Sequence, residues 1–217
     1  MKPRSDATEF YRGIAAWGPS HRREFPWRQE SDPWRVLVTE VMLQRSRSST
    51  VAKVYERFFD RWPDAASLAA AGESEVAAVI KPLGLVKRAA SLIELASEIV
   101  RIGGVPRGRN DLMRLPGVGK YATNATMAVA FGKRVPTVDG VSARVYQRYF
   151  GLPGGRLVST SRQLWDLVDW VTPATGVKEW NWWVLDFAEE VCLEAAPKCK
   201  GCPLESRCLY AQGREKR

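Results

Sequence analysis

The sequence predicts an all-α protein, and three observations support this fold class. Alternating runs of β-branched residues, which are typical of strands, are absent from the 217 residues. Alanine-rich segments with apolar residues at helical spacing dominate instead. Helix start and stop signals, such as an acid before a proline or a pair of glycines, recur along the chain. A chain of this length buries the core of one large domain or of two small ones.

The predicted helices of the first half follow these signals in order. Asp32 caps a helix whose first residue is Pro33. Short helices are predicted to begin at Trp62-Pro63-Asp64 and at Glu73. A long amphipathic helix is predicted over residues 89–102, because two glycines follow it.

The second half is predicted to contain a helix–hairpin–helix over residues 112–115 and 120–131. Further helices are predicted around 140–150, 160–171 and 180–193.

The formal net charge of +9 favours a polyanionic partner, with nucleic acid first and an anionic membrane surface second. No apolar stretch reaches the length of a membrane span, and the N-terminus lacks the apolar region of a signal peptide. We therefore expect a cytoplasmic protein, associated with the nucleoid if the source is bacterial or archaeal. A monomer is also expected.

The predicted hairpin suits phosphate binding. Gly117, Val118 and Gly119 precede the helix that begins at Lys120, so successive N–H groups lie at the positive end of that helix. Such a contact holds the nucleic-acid backbone and does not identify bases. The alternative is an ordinary turn between two helices, where glycine is common.

Leu-Pro-Gly-Val-Gly at 115–119, a helix, and then Val138-Asp139-Gly140 resemble the helix–hairpin–helix DNA glycosylases with a Gly/Pro-rich loop and a catalytic aspartate. This family includes endonuclease III, adenine DNA glycosylase and thymine–guanine mismatch glycosylases. The resemblance implies double-stranded DNA with a mismatched or damaged base as the partner. It also implies two helical domains: a six-helix barrel with the hairpin at 26–135, and an iron–sulfur cluster domain formed by 1–25 and 136–217.

The four cysteines lie within 17 residues, in the pattern C-x6-C-x2-C-x5-C, and predict one metal centre. Zinc sites usually have two C-x2-C pairs, and only one is present, so zinc is the alternative. The spacing resembles the cluster loop of the glycosylases, which implies a [4Fe–4S] cluster with a structural or DNA-affinity role. Its ligands are Cys192, Cys199, Cys202 and Cys208.

Cleavage of an N-glycosidic bond needs one charged carboxylate and one carboxylic acid, because the sugar becomes positive and the base leaves more easily when protonated. The resemblance implies that Asp139 is the catalytic carboxylate; the alternative is a helix cap. Glu40 suits the acid, because it lies on an apolar helix where burial favours the protonated form. The alternative for Glu40 is an ion pair with Arg35 or Arg45.

The resemblance places Tyr121 where endonuclease III has a lysine that attacks the sugar; the alternative is a core tyrosine. Lys120 is one residue earlier, about 100° away around the helix. We therefore predict a monofunctional glycosylase with no efficient strand nicking, in which Tyr121 contacts the flipped sugar.

A base must leave the duplex before its bond is cut, and a side chain must fill the gap. The resemblance implies that Gln44 and Arg45 supply one wedge and Leu85 a second, with a core position as the alternative for Leu85. Arginine at the position of Arg45 is found in a thymine–guanine glycosylase.

Removal of thymine or uracil opposite guanine is the first functional hypothesis. An adenine DNA glycosylase without its C-terminal recognition domain is the second, although the chain ends soon after the cysteines, which favours the thymine–guanine branch. Val141 stands where both branches tend to have asparagine, so a glycosylase for a modified base is a further alternative. The non-enzymatic alternative is an iron–sulfur DNA-binding module.

Overall fold

The computed structural model describes residues 4–84, 88–154 and 158–214, and these ranges contain helices and no β-strand. The all-α prediction is therefore confirmed. The α-helices are α1 Arg4–Trp17, α2 Pro33–Leu43, α3 Ser48–Arg61, α4 Ala65–Ala69, α5 Glu73–Ile80, α6 Arg88–Ile102, α7 Arg109–Met113, α8 Lys120–Phe131, α9 Gly140–Phe150, α10 Arg162–Val171, α11 Val177–Glu190 and α12 Leu209–Arg214. Short 3-10 helices occupy Gly18–Ser20, Pro26–Gln29, Lys81–Leu83, Val158–Thr160 and Glu205–Arg207.

Local capping chemistry sets several helix starts. The Asp32 side chain accepts the N–H of Arg35 over 2.9 Å, with Pro33 as the first residue of α2, as predicted. The Asp64 side chain accepts the N–H of Ser67 over 2.8 Å at the start of α4. Contacts of this kind can be predicted from the sequence, because the two residues of each hydrogen bond are only three positions apart.

Three α-helices, α1, α3 and α12, are absent from the predictions above. Helix α3 buries Val51, Val54, Tyr55 and Phe58, whose spacing is that of one helical face. That periodicity was sufficient to predict α3. The first helix of the hairpin motif also lies earlier than predicted, at Arg109–Met113.

The chain divides into two compact units, of which the central one is Glu24–Gly132. In the central unit, α2 packs against α3 and α8, and α6 packs against α4 and α5. Its core includes the fully buried residues Leu37, Phe58, Leu92 and Leu112.

The terminal unit combines the chain up to Arg23 with the chain from Lys133 onward. Helix α9 packs against α10, α11 and α12, and α1 packs against α10 and α11. Phe10 lies in its core, with ring centroids 4.9–5.8 Å from those of Tyr146, Tyr149, Phe150 and Trp180. The assignment of a barrel domain to 26–135 and of a cluster domain to the remainder stays a prediction.

None of the helices in the described ranges has both the length and the apolar character that a membrane crossing needs.

Candidate active site

The hairpin in the central unit has the backbone geometry that the two glycines predict. Gly117 has a φ of +71°, in the left-handed region that favours glycine. Gly119 occupies the N-cap position of α8 and provides no side chain to bond the first N–H groups of that helix. A Cβ added at either glycine would meet no atom within 4 Å. The N-terminus of α8 is therefore open to a ligand such as a phosphate.

A glutamine connects this hairpin to the turn after α2. The Gln44 side-chain amide donates to the backbone carbonyl of Gly117 over 2.9 Å, across 73 residues of sequence. From the sequence, Gln44 and the hairpin are each predicted to contact DNA, and no contact between them is predicted. The structure brings them together within the central unit.

Arg45 follows directly and has a φ of +58°, which makes it the one non-glycine residue with positive φ in the described ranges. Such a conformation costs about 1–3 kcal/mol and persists only where the surroundings hold it. The Arg45 side chain is exposed. A strained, exposed arginine is compatible with insertion into a duplex. The other predicted wedge, Leu85, lies outside the described residues.

Arg88 stabilises the turn that follows α2, and this role was not predicted from the sequence. Its guanidinium donates to the carbonyl of Met42 over 2.8 Å and to the carbonyl of Gln44. It also lies 3.4 Å from the hydroxyl of Ser46. Burial first, and then the neighbouring Arg45 charge, lower the pKa of Arg88. No local signal indicates this role, because the bonded groups lie 42–46 residues away in sequence.

Glu40 lies on α2 and is 8% exposed, as its apolar neighbours predicted. Helix α2 packs against α8, which buries the polar residues Thr123, Asn124 and Thr126. Arg35, one proposed partner of Glu40, pairs with Glu30 over 3.6 Å. The Glu40 carboxyl group is therefore largely removed from water.

Tyr121 is the second residue of α8 and is half-buried, and Lys120 is the first. Adjacent helical residues are separated by about 100° around the helix axis. The two side chains therefore leave the helix in different directions. Lys120 does not take the place of a lysine at position 121.

Asp139 is partly exposed and caps α9 in the terminal unit. Its Oδ1 accepts the N–H of Val141 over 3.1 Å and the N–H of Ser142 over 2.7 Å. It also accepts the Ser142 hydroxyl over 2.7 Å. In the described part of the chain, no hydrogen bond reaches Oδ2. The carboxylate therefore serves as a helix cap through one oxygen and keeps the other available.

The four cysteines line one cavity of the terminal unit, and no disulfide joins them. Burial raises the pKa of the Cys202 thiol to about 11, and burial also raises the pKa of Cys208. The N–H of Leu204 donates to the Cys202 sulfur over 3.4 Å. Within the described ranges, no three His, Cys, Asp or Glu residues converge in a group that could hold a metal ion.

Two arginines of α9 bind the segment that leads into this cavity. Arg144 donates to the carbonyls of Cys192 and Ala188 over 2.7 and 2.8 Å. Arg148 donates to the carbonyl of Leu193 over 2.6 Å and lies 3.4 Å from the Cys192 sulfur. The helix that Asp139 caps therefore also supports the cysteine loop. Neither arginine was predicted from the sequence, because their partners lie more than 40 residues away.

A helix–hairpin–helix followed by an aspartate that caps the next helix is the arrangement of a class of DNA repair enzymes. The chain belongs to the HhH-GPD superfamily of base excision DNA repair proteins, whose family model matches residues 38–169. This confirms the resemblance noted in the sequence and the DNA glycosylase class that it implied.

Particular relatives cover nearly the whole chain. The thymine/uracil-DNA glycosylase of Pyrobaculum aerophilum is 38% identical over 219 residues, which cover 97% of this chain and 95% of that protein. The thymine/uracil-DNA glycosylase of Methanothermobacter thermautotrophicus is 36% identical over 204 residues, or 93% and 92% of the two chains. The solved structure of a thermostable thymine-DNA glycosylase superposes with a TM-score of 0.91 at 35% identity, covering 96% of this chain and 98% of that one.

Proposed function

We propose that this protein removes thymine or uracil opposite guanine from double-stranded DNA by hydrolysis of the N-glycosidic bond, without cutting the strand. The observation that carries the proposal is the Asp139 carboxylate, with Oδ1 bonded at the start of α9 and Oδ2 available for a substrate. A fixed negative charge of this kind stabilises the positive sugar that forms as the base leaves.

The choice of base rests on the relatives. Two proteins that match this chain over nine-tenths of its length are thymine/uracil-DNA glycosylases. Arg45 in the turn after α2 supports the same branch, by the resemblance noted above. Val141 differs from the asparagine of that branch, and the bonds that Ser142 makes to Asp139 provide an alternative support for the carboxylate.

The hairpin supplies affinity for the duplex. N–H groups at the start of α8 suit a phosphate oxygen, and the open space beside Gly117 and Gly119 lets a backbone approach. Gln44 braces the same hairpin through the carbonyl of Gly117. These contacts hold the DNA backbone, while the exposed, strained Arg45 fills the gap that a flipped base leaves.

Proton transfer is assigned to Glu40. A desolvated carboxylic acid at 8% exposure holds a proton that it can pass to the departing base. Asp139 caps the N-terminus of α9, where the helix dipole favours a negative group. The two environments therefore suit one acid and one carboxylate, which is the pair that the reaction needs.

Tyr121 accounts for the proposed lack of strand cleavage. A lyase step needs an amine that attacks the sugar, and a phenol does not form a Schiff base. Lys120 points about 100° away around α8. Water is therefore the nucleophile, and an abasic site is the product.

A [4Fe–4S] cluster is the proposed occupant of the cysteine-lined cavity. Two observations support this proposal: all four thiols line one cavity, and Cys₄ ligation suits the cluster. In the described ranges the thiols do not converge as ligands of a single metal ion, so the cluster would have to draw them together. When bound, the cluster would link four positions of the C-terminal segment and stabilise its fold. Arg144 and Arg148 fix the backbone around Cys192, which positions the first of the four ligands.

The proposed cluster can be tested without an activity assay, through the colour and the iron content of the protein. Protein purified without added metal is expected to be brown, to absorb broadly in the visible blue, and to contain about four irons per chain. Metal analysis and visible absorption check this. Cys202→Ser is expected to lose the colour and to lower the melting temperature. A colourless protein with one zinc per chain would show instead that the alternative centre is present.

The test of the function is base release from a panel of labelled duplexes. The panel holds thymine, uracil and adenine opposite guanine, adenine opposite oxidised guanine, and thymine opposite adenine as the control. Each reaction is analysed with and without alkali. We expect cleavage of the thymine–guanine and uracil–guanine strands only after alkali. Cleavage without alkali would contradict the monofunctional mechanism, and release of adenine alone would contradict the proposed substrate.

A further inference from the structure

Ser142 bonds to Asp139 through its side chain as well as its backbone. Its hydroxyl donates to Asp139 Oδ1 over 2.7 Å, and its hydroxyl oxygen accepts the Asp139 N–H over 3.0 Å. Ser142 is only 3% exposed, so water competes poorly for this hydroxyl. In the described part of the chain, no other side chain donates a hydrogen bond to Asp139.

A second capping box in the same chain provides a comparison for this arrangement. At the start of α4, the Asp64 side chain accepts the N–H of Ser67 over 2.8 Å. The Ser67 hydroxyl, however, donates to the backbone carbonyl of Asp64 over 2.8 Å. The Ser67 side chain is also a hydrogen-bond partner of the Asp64 carboxylate. The two boxes differ in exposure, because Asp64 is exposed whereas Ser142 is 3% exposed.

The consequence is a carboxylate whose orientation is fixed. Three donors converge on Oδ1 of Asp139, and two of them come from Ser142. Because both oxygens belong to one planar group, fixing Oδ1 also fixes the direction of Oδ2. Val141 contributes its backbone N–H, while its apolar side chain has no donor.

We propose that Ser142 is a positioning residue for base excision: its hydroxyl orients the Asp139 carboxylate and presents Oδ2 to the reacting sugar. This inference rests on the proposed catalytic role of Asp139. A hydrogen bond to a charged group contributes enough that its loss slows a reaction about tenfold or more when the charge acts in the transition state.

The experiment compares Ser142→Thr with Ser142→Val. These two side chains have nearly the same volume, so both variants add similar bulk at this buried position, and only threonine keeps the hydroxyl. Single-turnover release of thymine from a thymine–guanine duplex is measured with saturating protein, together with the duplex Kd. We expect the valine variant to be slower than the threonine variant by about tenfold, at similar Kd.

Two controls separate this role from helix capping and from failure of the proposed function. Ser67→Thr and Ser67→Val make the same comparison at the capping box of α4, where equal release rates are expected. In an Asp139→Asn background, Ser142→Val is expected to cause little further loss, because the carboxylate it orients is gone. Equal rates for the two Ser142 variants, with Asp139→Asn inactive, would overturn the inference and leave the proposed function intact. An active Asp139→Asn would overturn both.

Discussion

Asp139→Asn is expected to slow base release under single-turnover conditions by at least about a hundredfold. The substitution removes the negative charge that stabilises the developing positive sugar. It should preserve the fold, because the amide oxygen of asparagine can accept the N–H groups of Val141 and Ser142 and is an equally good helix cap. Duplex affinity is expected to change little. Quenched single-turnover assays and binding titrations check the two parts separately.

Asp64→Asn is the matched control for this variant. Asp64 caps α4 in a capping box with Ser67, just as Asp139 caps α9 with Ser142. Both substitutions exchange a capping carboxylate for an amide, and only the one at Asp139 should affect chemistry. Release rates that fall equally in both variants would show that the loss at Asp139 comes from capping.

Glu40→Gln is expected to slow thymine release by about 10²–10⁴-fold, because glutamine fills the same space and has no acidic proton to donate. The loss should be smaller for 5-fluorouracil, which departs more readily as an anion and needs protonation less. The measurement is the ratio of wild-type to variant single-turnover rates for each base opposite guanine.

Glu30→Gln provides the comparison for Glu40. Glu30 is a partly buried carboxylate of the central unit, and it accepts the N–H groups of Ser31 and Asp32 just before α2. Its loss is expected to affect stability and to leave the thymine-to-fluorouracil ratio unchanged. If Glu40→Gln slows both bases equally, Glu40 does not donate the proton.

The central unit couples its proposed DNA contacts to one another. Gln44 bonds the carbonyl of Gly117 in the hairpin, and Arg88 bonds the carbonyl of Gln44 in the turn after α2. The strained conformation of Arg45 lies directly after Gln44, the residue that makes both contacts. A wedge that is held in place before DNA binds loses less conformational entropy on insertion, which is a physical reason for such bracing.

Much of the fold depends on local chemistry and was therefore predictable from the sequence. The start of α2 depends on Asp32 and Pro33, and the start of α8 follows the glycines of the hairpin. The capping of α9 by Asp139 is equally local, since its partners are two and three residues away. The serine at the third position after Asp139 carried the signal of a capping box, although no prediction above depends on it.

The sequence by itself determined which residue types are available for chemistry: two glycines before a helix, an aspartate after it, a glutamate on an apolar helix, and four clustered cysteines. Only the tertiary structure decided that Gln44 braces the hairpin, that Arg88 holds the turn after α2, and that all four cysteines line one cavity. The physical reason is the separation in sequence between the residues in contact. Caps and turns join residues two to four positions apart, whereas these contacts join segments that come together only when the hydrophobic cores of the two units form.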